Sequence, residues 1–496
     1  MNLCHLGWRL KRSAARVLAL GAAAALIVPA ATPGPSTASA SRSASETAST
    51  SPPISFWAPR RVVAFGFDGF VFSDLGLRVI AEGAPFELWS NRASYRREIQ
   101  TVWRSPSGDV PLPSGTMSSF SSGLPRFVKL TVTSGDRVRT LRRPACLGGE
   151  SERVRPDAPA TSRYPQGCFY NPYALGAVQG VQEGWAASIL GQSRPLRLPV
   201  GRYTVTATIG ATYARTFGLA AADASRTFRL IVRNEEEFFD RARTQQRVAQ
   251  PARTEPTQSA VGTPAGPVPD LRSLPAWGIG VGEGGNQLQF SATVWNAGDS
   301  PLVVDGFRRE DEDVMDAYQY FFDADGNQTG AYQQVGEMHW DSKRTHQHWH
   351  FEDFARYTLL SADKTEVVRS RKEAFCLANT DAVDLTVPDA AWNPFNTDLS
   401  TSCGDSSSLS IREVLASGWG DTYAQFRAGQ SFNLRGLPNG KYYVAVIANP
   451  ENRLVEASKD NNVALRKVFI GGTPGHRTVR VPQVGLVEEE FSFFEE

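Results

Sequence analysis

Four of the six histidines in this 496-residue chain fall within the twelve residues 339–350: His339, His346, His348 and His350. In an extended strand, side chains at i, i+2 and i+4 share a face. That spacing lines up His346, His348 and His350, with Gln347 and Trp349 on the opposite side. Three imidazoles along about 13 Å of backbone can converge on one ion where the strand twists. On a helix the first two would be splayed by about 200°. Imidazole-only ligation suits copper, zinc or non-haem iron. A solvated His-rich strand explains the run less well, because aligned imidazoles repel one another once protonated. His339 stands off the ladder, either behind the ligands or at the surface.

Two later segments carry further reactive side chains. RKEAFCLANT (371–380) holds Lys372, and GWGDTY (418–423) holds Asp421 and Tyr423. Taken singly, Lys372 is one of three surface basic residues with Arg369 and Arg371. Tyr423 reads as a core aromatic and Asp421 as a turn residue after Gly420. Together with HQHWHFEDFARYTLL (346–360) and LVEASKDNN (454–462), these segments keep the order and rough spacing of a known family. The region from Asp270 to Gly472 resembles the lysyl oxidases; residues 41–269 do not.

The resemblance implies a chemistry, position by position. His346, His348 and His350 match copper ligands. Lys372 and Tyr423 match the pair that crosslinks into lysine tyrosylquinone, a cofactor made from the protein's own side chains. The implied activity is amine oxidation: a primary amine, by family default a lysine side chain of an extracellular protein, becomes an aldehyde. O2 is consumed, and ammonia and hydrogen peroxide are released. Asp421 shares a strand face with Tyr423 and is the candidate base. The chain departs from animal members in having fewer cysteines, Asp341 and a Lys-Arg pair before the triad, and a different insert after Lys372. Those departures bear on the substrate rather than the cofactor.

Two other readings compete. A cupin-type oxygenase would use His346, His348 and Glu352, and the one later histidine available to it is His476. A non-enzymatic, wall-associated sandwich would bind copper without forming the quinone. Residues 290–306 (FSATVWNAGDSPLVVDG) have the look of an adhesion-type strand pair.

The elements that must position these residues are strands. RRVVAFGFDGFVF (60–72), RFVKLTVTSG (126–135) and TFRLIVRN (227–234) alternate apolar and polar residues between Gly, Pro and Ser. LRLPVGRYTVTATI (196–209) and LRGLPNGKYYVAVI (434–447) echo each other as a turn followed by a half-buried strand. The one helical candidate is 234–246. The expected fold is all-β: two tandem β-sandwich domains joined by a Pro-rich linker. The expected segments are 1–40 signal peptide, 41–54 flexible linker, 55–239 N-terminal domain, 240–269 linker, 270–472 copper domain and 473–496 acidic tail.

The leader has a basic stretch (9–16), a short apolar stretch (17–31) and an Ala38-Ser39-Ala40 cleavage pattern. It predicts export, with no other membrane-crossing segment. Outside the leader stand four cysteines, an even number in an exported chain. If pairs stay within domains they are Cys146–Cys168 and Cys376–Cys403, the latter worth roughly 3 kcal/mol in the chain-entropy model. The formal charge of +1 offers no case for nucleic acid or an anionic membrane as partner.

Overall fold

The computed structural model describes residues 52–67, 69–117, 119–190, 195–234, 266–309, 312–341, 348–370, 374–395, 397–404, 408–424 and 429–489. The leader, most of both expected linkers, the helical candidate beyond 234, His346, Lys372 and the last seven residues lie outside them.

The fold is all-β. Ala211–Thr216 is the one helix among the described residues, and no described helix is long and apolar enough to cross a membrane. Strands between 54 and 234 build a seven-stranded sheet and two four-stranded sheets. Those between 271 and 480 build two six-stranded sheets and one of five. The alternating runs read as strands are strands: Leu124–Ser134, Gly201–Ile209, Ser225–Asn234 and Gly440–Ala448. In Gly201–Ile209 the buried positions are Val205, Ala207 and Ile209, with threonines between them facing out, the period-2 pattern of a sheet with one dry face.

The two groups of sheets are packed into each other. Leu175 N–H donates to the Val383 carbonyl at 2.7 Å, and Leu385 N–H to that of Gly176 at 3.1 Å. One buried cluster joins Tyr164 and Val178 to Val303, Val414 and Trp419; another joins Tyr173 to Leu274, Trp295 and Val383. Where the sequence suggests an acidic tail from 473, His476–Arg480 is a strand paired with Val463–Thr473. Glu489 accepts hydrogen bonds from Tyr173 at 3.0 Å and Arg466 at 2.5 Å. Two disulfides form, Cys146–Cys168 and Cys376–Cys403.

Candidate metal and cofactor site

The histidine strand is His348–Glu352, held between Gln328–Asp341 on one side and Ala374–Phe375 on the other. Trp349 is fully buried and meets Trp340 at 5.9 Å between ring centres. That anchoring turns His348 and His350 to the opposite face. Their Nε2 atoms lie 2.9 Å apart, with the rings nearly perpendicular. Two donors on one ion at about 2.0–2.1 Å each would be separated by about 2.9 Å at a right angle, so this spacing fits a shared metal. His350 is buried.

Antiparallel register adds carboxylates to the same face. Asp341 lies opposite His348, and His339 opposite His350. Asp341 Oδ2 is 3.9 Å from His350 Nδ1, the ring nitrogen turned away from His348. A carboxylate behind a ligating imidazole fixes its orientation and raises its basicity. His339 Nε2 lies 3.4 Å from Glu337 and 3.6 Å from Glu352, at the more exposed end of the face. His476 belongs to the separate five-stranded sheet and is exposed, so the cupin grouping is not assembled with His348.

Tyr423 ends the strand Trp419–Tyr423, which pairs with Gln287–Asn296 and Asp381–Ala382. Its hydroxyl accepts from Cys376 N–H at 3.0 Å and donates to the Cys376 carbonyl at 3.2 Å. Its ring meets Phe375 edge-on at 4.8 Å. Phe375 in turn pairs with Phe351, the neighbour of His350. The histidine strand and the tyrosine are thus tied through residues 375 and 376. Tyr423 as a residue is only half-buried. Its phenol is nonetheless pushed well above the usual range, first by burial and then by Asp421 and Glu413, with the Cys376 N–H opposing.

Asp421 is buried and lies within a strand rather than a turn. Sequence reasoning missed its neighbour Glu413, which lies on Ser410–Leu415 and is fully buried. Glu413 Oε2 accepts from Leu377 N–H at 2.9 Å, while Oε1 has no hydrogen-bond partner. Burial raises its carboxyl well above the carboxylate range, and Asp421 adds to the rise against the Leu377 N–H. Burial likewise lifts Tyr357, with a further contribution from Asp421. The signal for Glu413 was present: it shares a strand face with Ile411 and Leu415, where an apolar residue is expected. Glu413 also groups with the sulfurs of Cys376 and Cys403 within 4.8 Å. Both sulfurs are spent in the disulfide, so that trio holds no metal.

The described donors fit copper: two imidazoles converge, a carboxylate backs one of them, and a tyrosine is tied to the adjacent strand. Residues 326–476 match a protein-family model described as lysyl oxidase. A search of curated proteins found no match.

Proposed function

With a lysyl oxidase region at residues 326–476 as premise, we propose that the chain is a secreted copper-dependent amine oxidase. It converts primary amines, by default lysine side chains of extracellular proteins, to aldehydes. One amine, one O2 and one water give one aldehyde, one ammonia and one hydrogen peroxide. His346, His348 and His350 hold the copper, and Lys372 and Tyr423 form the lysine tyrosylquinone. When present, copper with O2 supplies the oxidising power that matures Tyr423, and the quinone supplies an electrophilic carbonyl and an electron sink.

The observation that carries this reading is the bracket around the Tyr423 hydroxyl by Cys376 N–H and C=O. Cys376 lies four residues after Lys372, so the backbone alone limits their separation to roughly 14 Å. The chain's own groups divide the remaining work. Phe375 and Cys376 orient the tyrosine. Asp341 steadies the His350 imidazole. Asp421, on the tyrosine's face, accepts the proton that leaves the substrate's α-carbon. Burial pushes the neighbouring Glu413 carboxyl up, which disfavours a further negative charge beside Asp421.

The test is the crosslink. Protein produced with copper and air should release the Lys372 and Tyr423 peptides as one species that reductants do not separate. Protein produced without copper should give two ordinary peptides. Lys372→Arg should abolish both the crosslink and amine-dependent peroxide release, since guanidinium is a poor nucleophile at any accessible pH. Tyr423→Phe should do the same. Separate, unmodified peptides from copper-loaded protein would leave a copper-binding sandwich without oxidase activity.

A further inference from the structure

The overall charge of +1 conceals a partition. Residues 52–234 carry 23 Arg and Lys against 12 Asp and Glu, whereas residues 266–496 carry 20 against 33. Much of the basic excess sits on one face of the seven-stranded sheet. Five of its strands, Arg61–Phe67, Leu124–Ser134, Arg137–Ala145, Gly201–Ile209 and Ser225–Asn234, contain no Asp or Glu at all. Their inward positions are buried, as with Val205, Phe228 and Leu230, so the alternate positions form an outward face.

Register places like charges side by side on that face. Arg229 lies beside Arg61 on a parallel neighbour, and Lys129 lies opposite Arg142 on an antiparallel one. Like charges directly opposite one another across strands are destabilising. Among the described residues, neither pair has a carboxylate partner. Arg61, Arg229 and Arg202 line one groove of about 620 Å³ together with the backbone turn at Ser134 and Gly135. Between the two basic pairs run rows of hydroxyls. Thr206 bonds Thr227 at 2.9 Å, and Thr208 bonds Ser225 at 3.1 Å. At about 4.8 Å per strand and 3.4 Å per residue, the basic pairs stand roughly 20 Å apart across the sheet.

We propose that this face docks a linear anionic glycan. Its sulfate or carboxylate groups sit on the Arg61–Arg229 and Lys129–Arg142 pairs, and its sugar hydroxyls lie along the threonine rows. A single small anion would not reach both pairs. Guanidinium forks match carboxylate and sulfate oxygens two at a time. Tyr203 lines the groove beside Arg202, but its hydroxyl is tied to the Pro199 carbonyl at 2.7 Å, and single-strand binding usually rests on a succession of stacked bases.

The test uses the full chain on immobilised heparin (sulfate), polygalacturonate (carboxylate) and neutral dextran. Retention on one or both anionic matrices and none on dextran is expected, and the preferred matrix identifies the acid group. The double variant Arg61→Gln/Arg229→Gln should bind the preferred glycan at least tenfold more weakly. Arg435→Gln, an exposed change in the acidic half, should leave binding unchanged. Thermal melts check that each variant is folded. Equal binding by the double variant would overturn the proposal, as would failure to bind either anionic matrix. Equally tight binding of single- or double-stranded DNA at the same salt would replace the glycan with a nucleic acid and so overturn it too.

Discussion

His348 and His350 owe their convergence to the residue between them. Trp349 is fully buried, and its burial fixes which face the flanking imidazoles take. Replacing His348 with Ala should therefore remove the copper and little else, because the core behind Trp349 is untouched. Asp341→Asn is the subtler change. The amide keeps the size of the group behind His350 Nδ1 but not its charge, and loss of such a supporting carboxylate typically weakens metal binding by 10–100-fold. Competition against a copper chelator should show that drop, with elemental analysis at saturating copper still giving about one ion per chain. Unchanged affinity would remove Asp341 from the site. The shared face of His348 and His350 was legible because a period of two is written directly in the sequence. Glu413 showed only as an acid alternating with Ile411 and Leu415; its role depends on Leu377 and Asp421, which only the folded chain brings to it.

The short strands on either side of Tyr423 carry an acid that sequence spacing could not single out. Asp381 opens a two-residue strand opposite Gly420 and is buried. Burial raises its carboxyl from 3.8 to about 6, against hydrogen bonds from Thr422, Thr380 and Asn171. Between those two values the folded chain holds a proton that the unfolded chain has lost. Stability therefore falls as pH rises through that window, and the cost persists above it. Asp381→Asn removes the titration while keeping an acceptor for the threonines. The variant should match the parent near the lower end of the window. Above the upper end it should exceed the parent by on the order of 3 kcal/mol. Urea melts across that range decide the matter, and parallel stability curves would show that Asp381 does not titrate there. The long strands were legible from their alternation, as in Leu124–Ser134 and Ser225–Asn234. Elements of two residues, such as Asp381–Ala382 and Ala374–Phe375, are too short to show any period, yet they are what join the histidines to the tyrosine.

At the scale of the molecule, the part of the chain outside the family match packs against the strand that carries Tyr423. Phe169 meets Trp419 edge-on at 4.8 Å, and Trp419 is fully buried four residues before the tyrosine. On the strand's other face, Asn171 donates to Thr293 at 3.0 Å, and Thr293 is within 2.6 Å of Thr422. None of this was legible, because Phe169, Asn171 and Tyr173 sit in a stretch with no hydrophobic period. The sequence offers only a composition change near 240–269 from which to infer separate bodies. Because apolar area shared by the two halves would face water if they were parted, residues 266–496 made alone should expose Trp419, Trp295 and Val303. Red-shifted tryptophan fluorescence, dye binding and self-association are expected, each reversed when residues 52–234 are added back. Within the intact chain, Phe169→Ala should loosen the Trp419 end of the strand and lower the yield of the Lys372–Tyr423 crosslink at unchanged copper content. A monodisperse 266–496 fragment that forms the crosslink in full would show that the tyrosine strand is held from within its own sheet. The N-terminal half would then be left with its basic face as its principal contribution.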